Sequence, residues 1–315
     1  MPRKRRTKKK RTGLHEGIDF VSVIADDGAC SIVAPSTKGT TMIKRILVGL
    51  GGTPFTTTAI RYAVELAKVH EAEVLGVTVT DLRRLGALTS SPGSAQHAVR
   101  EVQRLEKTAI QQKQAIAEFE MVCTSAGIPY DVARESGDPF EKMISQARYY
   151  DLMVFGLRSL FDYDFGGSEA SDVLTRLVSR GVRPILAVAQ EYRPIRRVLL
   201  AYSGSMESAK AIRRFMQMQL WPNLTAKVIT CEHSPEVATE LVNEIADYCQ
   251  AYGCKAEVDI LAGPARQLLL DHAIDWNADL IVIGNSIKHL WLKKLLGETA
   301  MHCIKHTDVP LFLSQ

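Results

Sequence analysis

Asp151-Leu152-Met153-Val154-Phe155-Gly156 returns 128 residues later as Asp279-Leu280-Ile281-Val282-Ile283-Gly284. Four apolar residues held between an aspartate and a glycine are too few for a helix and read as a strand buried on both faces. Upstream of each copy, Gly137-Asp138-Pro139 and Gly263-Pro264-Ala265 open a helix with proline near its first turn. Downstream, Pro184-Ile185-Leu186-Ala187-Val188 is matched by Pro310-Leu311-Phe312-Leu313, a closing strand in each copy.

The repeat extends towards the N-terminus. Ile46-Leu47-Val48-Gly49-Leu50 corresponds to Val198-Leu199-Leu200-Ala201-Tyr202, both preceded by two basic residues. Each run ends in a glycine turn and a hydroxyl residue suited to starting a helix, Gly52-Thr53 and Gly204-Ser205. In the helices that follow, Ala59, Ile60, Ala63, Val64 and Ala67 share one face, as do Ala209, Ile212, Phe215 and Met216. Second strands begin at Glu71 and Thr225. The long helices after them end at Gly127 and Gly253, each placed for a left-handed cap.

The two copies are offset by 152 to 154 residues before the long helix and by 126 to 128 after it. The first copy therefore holds about 28 extra residues, placed near positions 81–104, whose Thr89-Ser90-Ser91-Pro92-Gly93-Ser94 core reads as loop. Strands alternating with helices imply right-handed crossovers and a parallel sheet covered on both faces. The expected architecture is two tandem doubly wound, Rossmann-like α/β domains, at 42–190 and 194–315. The linker Gln190-Glu191-Tyr192-Arg193-Pro194 is too short to let them drift apart, and the apolar last strands favour an intramolecular pseudo-dimer. A homodimer is also compatible with the sequence.

A basic tail, 1–41, precedes this body. It carries nine of the basic residues against four acidic ones, so the formal net charge of +4 becomes −1 for the remainder. The near-neutral body gives no broad electrostatic reason to bind nucleic acid. Residues 3–11 repel one another and read as disordered. Three readings of the tail stay open: a solvated extension, an anion-binding arm, and a native start at Met42. No apolar run approaches the roughly 18 residues of a membrane helix, and the basic start lacks the apolar stretch of a signal peptide. The six cysteines have no framework spacing, which suits a reducing cytoplasm.

The order of elements, and the Gly-Pro-helix-Asp-apolar-apolar-Val-apolar-Gly stretch in particular, resembles the universal stress protein family, twice over, across nearly all of 42–315. The resemblance implies a regulatory, non-catalytic protein of the stress response. Members of that family that bind ATP carry an aspartate after the first strand. They also carry a loop Gly-x-x-Gly, nine residues, then Gly-Ser or Gly-Thr, where backbone N–H groups and a helix N-terminus hold phosphates. Carried over to this chain, the cofactor would be ATP. The residues implied to hold it are Thr53, Val79 (adenine by backbone and apolar contact), Gly156, Arg158, Gly167, Ser168, Gly284, Gly297 and Thr299.

The chain departs from that pattern in both copies. Gly51 and Ser203 stand at the aspartate position. The second loop has Ile287 for the second glycine and Glu298 for the hydroxyl residue; the first keeps Gly167-Ser168 but is two residues short. A carboxylate beside phosphate is repulsive, so of the two halves the first is the expected ATP binder. Lys288, Lys293 and Lys294 partly offset the loss in the second, and also fit a solvated helix face. The alternative is a scaffold of the same fold that binds no nucleotide. Gly49-Leu50-Gly51-Gly52 lacks a third fingerprint glycine. His302 and His306 lack a third ligand and fit a packed helix better than a zinc site. No Ser-His-Asp or Cys-His arrangement supports catalysis.

Overall fold

The computed structural model describes residues 43–80, 95–157, 177, 184–232, 234–284 and 297–314, with the side chains of 95–98, 100, 101 and 104 excepted. The basic tail and the Thr89–Ser94 segment lie outside the described residues.

Ten strands form one sheet. They are β1 (Arg45–Gly49), β2 (Glu73–Thr80), β3 (Tyr130–Ser136), β4 (Leu152–Gly156), β5 (Ile185–Val188), β6 (Arg197–Ala201), β7 (Thr225–Thr230), β8 (Ala256–Ile260), β9 (Leu280–Gly284) and β10 (Leu311–Ser314). The spatial order is β3-β2-β1-β4-β5-β10-β9-β6-β7-β8. Within β1–β5 and within β6–β10 every pairing is parallel. At the centre β5 and β10 pair antiparallel, with Phe312 opposite Leu186. Two five-stranded units of order 3-2-1-4-5 thus share a sheet.

The described residues hold seven helices. They are α1 (Thr56–His70), α2 (Ala95–Ala126), α3 (Pro139–Ala147), α4 (Met206–Met218), α5 (Pro235–Ala251), α6 (Ala265–Asp275) and α7 (Glu298–His306). Strand side chains alternate between faces, and the core divides accordingly. Ile46 and Val48 join α1, α2, α4 and α5 through Tyr62, Phe119, Phe215 and Ile245. Leu47 joins α3, α6 and α7 through Phe140, Leu269 and Cys303. All five apolar residues assigned to the buried face of α1 are buried.

The aspartate of the repeated motif has a structural task. Asp151 Oδ2 accepts the backbone N–H groups of Lys44 (2.9 Å) and Arg45 (3.1 Å). Asp279 Oδ2 accepts those of Arg196 (3.0 Å) and Arg197 (2.9 Å). In each half the loop before the fourth strand clamps the entry to the first. Arg45 stacks on Tyr150 and Arg197 on Trp276, repeating the same corner.

One local expectation is corrected. Thr53 does not cap α1: the cap position is Phe55, without a side-chain bond, and Thr53 Oγ1 instead accepts from Phe55 N–H at 3.3 Å. The prolines stand where these helices open, as expected: Pro264 at the cap of α6 and Pro139 at the first residue of α3, which Asp138 caps. Of the extra residues of the first half, 95–104 are helical and extend α2 to 32 residues against 17 in α5. The halves also diverge on their outer strands. Lys227 takes the place of the buried Leu75, and its ammonium lies 2.7 Å from Asp259 and 3.3 Å from Glu257.

Candidate functional site

In an open parallel sheet the ligand crevice lies beyond the carboxyl ends of the strands, where the strand order reverses. Here that is the space above β1 and β4 in the first half, and above β6 and β9 in the second. Thr53, Val79 and Gly156 all sit at that edge of the first half. Arg158, Gly167 and Ser168 lie outside the described residues, as do Ile287, Lys288, Lys293 and Lys294.

At the first-half edge α2 lies against the end of β2 and the glycine turn. Gln112 is buried, and its side-chain N–H donates to the Val79 carbonyl at 3.0 Å. The resemblance assigns Val79 to adenine by backbone and apolar contact, and the Gln112 carboxamide takes up the backbone oxygen of that residue. One residue earlier, Gln111 lies against the glycine turn. Gly52 has φ +68°, and a Cβ there would sit 2.6 Å from Gln111 Cβ and 2.8 Å from its backbone carbon. Thr53 is buried and its hydroxyl is 3.3 Å from that of Thr56, whose oxygen accepts Thr53 N–H at 2.9 Å. Neither Gln111 nor Gln112 was singled out from the sequence. The signal was there: Thr108 and Gln112 continue the buried stripe of Ala115, Ile116, Phe119 and Cys123 with polar residues, all of them buried.

The second-half edge is built differently. Ser205 caps α4, accepting Ser208 N–H at 3.2 Å, and Ser203 N–H donates to Ser208 Oγ at 3.3 Å. Gly284 ends β9 where the first turn of α4 comes close: a Cβ would lie 2.5 Å from the Glu207 carbonyl oxygen. Ala238 stands at the repeat position of Gln112, by the same 126-residue offset that relates Cys123 to Cys249. At the end of β7, Thr230 is 1% exposed and its hydroxyl has no hydrogen-bond partner. Burial pushes the neighbouring Cys231 thiol up, away from thiolate. Gly297 takes the cap position of α7, Glu298 its first residue and Thr299 its second. A carboxylate therefore stands at the helix N-terminus that would face a phosphate.

The halves also meet on the face of the sheet that α1 and α4 cover. Glu65 on α1 accepts from the Tyr192 hydroxyl of the linker (2.5 Å) and from the Trp221 indole after α4 (3.3 Å). Tyr62 donates to the Arg193 carbonyl at 2.6 Å, Tyr192 packs 4.9 Å from Tyr62, and Arg61 covers its ring at 3.5 Å. His70 Nε2 lies 3.1 Å from the Leu220 carbonyl. Burial, and next the bond to Glu65, push the Tyr192 phenol up to about 12. Among the described residues no group of three or more metal-ligating side chains is found, and no helix is long and apolar enough to cross a membrane.

Comparison with known proteins follows the same architecture. A sequence model described as the universal stress protein family matches residues 42–177 and 232–314. The universal stress protein Slr1230 of Synechocystis is 22% identical over 288 residues, covering 85% of this chain and 99% of that protein. A universal stress protein structure from Archaeoglobus fulgidus is 19% identical with a TM-score of 0.64, covering 86% of this chain and 96% of its own. The functionally unknown protein PA1789 from Pseudomonas aeruginosa is 15% identical with a TM-score of 0.55, covering 87% and 93%.

Proposed function

The chain belongs to the universal stress protein family, and from that premise we propose that it is a non-catalytic regulatory protein of the stress response. In this reading its two halves form an intramolecular pseudo-dimer, and its first half is a scaffold that takes no nucleotide. The observation that carries the reading is the Gln112–Val79 hydrogen bond, with Gln111 seated on Gly52. An adenine ring at that edge has to displace a buried amide and forfeit its bond, a cost of about 0.5–1.5 kcal/mol before any contact is gained. The first half also lacks the ribose-binding aspartate, which Gly51 replaces. Isothermal titration of the full chain with ATP tests this, since Gln112→Ala should gain affinity relative to the parent. Binding by the parent that disappears in Ser168→Glu overturns it.

A second reading concerns the other half. With Ala238 in place of the glutamine, and the Thr230 hydroxyl buried without a partner, this edge is the one that suits an adenine nucleotide. Glu298 argues for a ligand with few phosphates. A unit charge about 4 Å from the carboxylate is opposed by about 1 kcal/mol in water and about 4 at an effective dielectric of 20, and each phosphate adds to this. Adenosine or AMP should therefore bind more tightly than ATP, and Ala238→Gln should abolish binding. Equal affinities, or binding unchanged in Ala238→Gln, overturn the second reading.

A further inference from the structure

The last turns of α7 read His302-Cys303-Ile304-Lys305-His306. Cys303 and Ile304 are buried and pin the helix to the sheet. His302 and His306 stand four residues apart, so they share a side of the helix on successive turns. His302 is partly buried and His306 exposed. Their ring centroids are 4.4 Å apart and the rings are tilted by 44°. Among the described residues neither ring is hydrogen-bonded. By the 126-residue offset the first half has Arg176 and Arg180 at these positions, so the pair belongs to the second half alone.

We propose that His302 and His306 chelate a transition-metal dication of the Ni(II), Cu(II) or Zn(II) kind. Histidines at i and i+4 are the helical part of known zinc-binding patterns. A metal about 2.0–2.1 Å from each nitrogen needs those nitrogens about 3 Å apart, which rings already in contact reach by rotating the side chains. Two ligands are too few for a structural zinc centre, but they hold an ion that keeps water in its other positions. The ligand form is the neutral imidazole. Burial, then the neighbouring His306 and Arg266, hold the His302 pKa below the usual histidine value and favour that form. Arg266 also repels a cation, whereas the carbonyl end of α7, where His306 is the last residue, attracts one. Cys303 stands where such patterns carry a catalytic glutamate, so the pair binds without hydrolysing. Glu298 at the other end of α7 is the residue turned to the crevice, and the chelate therefore does not depend on nucleotide binding in either half. With half the ligands of a structural site, about half its binding free energy leaves a dissociation constant on the order of 10 µM.

Isothermal titration of the untagged full chain with nickel chloride, up to about 500 µM, is the test. The parent should bind one Ni(II), and Cu(II) more tightly. Magnesium, which prefers oxygen ligands, should not bind. His302→Ala and His306→Ala should each weaken Ni(II) at least tenfold while leaving the urea midpoint unchanged, which separates lost ligation from lost structure. His289→Ala should leave the affinity as it is. Absence of Ni(II) binding over this range, binding that survives either of the first two substitutions, or an equal loss in His289→Ala overturns the proposal.

Discussion

The Trp221 indole donates to Glu65 Oε1 at 3.3 Å, and this contact spans the two halves: Glu65 belongs to the helix after β1, Trp221 to the turn after α4. The Tyr192 hydroxyl takes the other oxygen of the same carboxylate. A hydrogen bond to a charged acceptor contributes about 1.5–3 kcal/mol, less where water competes. Glu65→Ala is expected to cost about 2 kcal/mol in urea unfolding, while Glu65→Gln, which keeps an acceptor, should cost about half. Equal losses would mean that the carboxylate acts by packing alone.

The same corner sets an alkaline limit. The Tyr192 phenol is pushed up to about 12 in the fold, first by burial. A raised pKa means that the folded state holds the proton more tightly than the unfolded chain. Its contribution is complete below about pH 10, the unperturbed tyrosine value, and is lost as pH rises towards 12. The urea midpoint should therefore fall between pH 9.5 and 11.5, and fall less in Tyr192→Phe. A parallel fall in both proteins would place the alkaline sensitivity elsewhere.

The glycine turn after β1 should be intolerant of any side chain. Gly52→Ala combines left-handed backbone with a clash on the Gln111 backbone, an expected loss of more than about 2 kcal/mol. Gly127 is also left-handed, but open space surrounds it. Gly127→Ala should cost only about 1 kcal/mol. Thermal unfolding of the pair separates strain from crowding, and equal losses would remove the crowding argument.

Asp151 and Asp279 make matching bonds at the entries to β1 and β6. Replacement by alanine orphans two backbone N–H groups at either site, with an expected cost of about 2 kcal/mol each. The sites lie in different halves and share no partner, so the double variant should be close to additive. A double variant much less stable than the sum would show that the two strand entries are coupled.

The fold was legible because the repeat writes each element twice. The run Asp279–Gly284 is ambiguous alone and becomes a strand once Asp151–Gly156 repeats it in the same context. The positive φ of Gly127 and Gly253 follows from helix periodicity ending at each glycine. The site was less legible. The contacts of Gln111 and Gln112 depend on where α2 comes to rest against Gly52 and Val79, a tertiary approach that no local pattern fixes. The polar interruption at Thr108 and Gln112 shows that something polar is buried there, not which carbonyl it meets. Thr53 was misplaced as a cap because Pro54 and Phe55 delay the helix, and hydroxyl spacing alone does not reveal such a delay.

The antiparallel seam between β5 and β10 carries a consequence for how such a chain can change over time. A five-residue tether presents each of these strands to the other at an effective concentration on the order of millimolar. The seam can then be weaker than one that must gather two separate molecules, and neither half is obliged to recognise a copy of itself. Freed from self-recognition, the halves no longer have to mutate in step. One has set Gln111 and Gln112 against the glycine turn and Val79. The other has set Lys227 among carboxylates where its twin keeps Leu75, and has given up a loop hydroxyl for Glu298. Joined end to end, the halves are free to differ in ways that two identical partners are not.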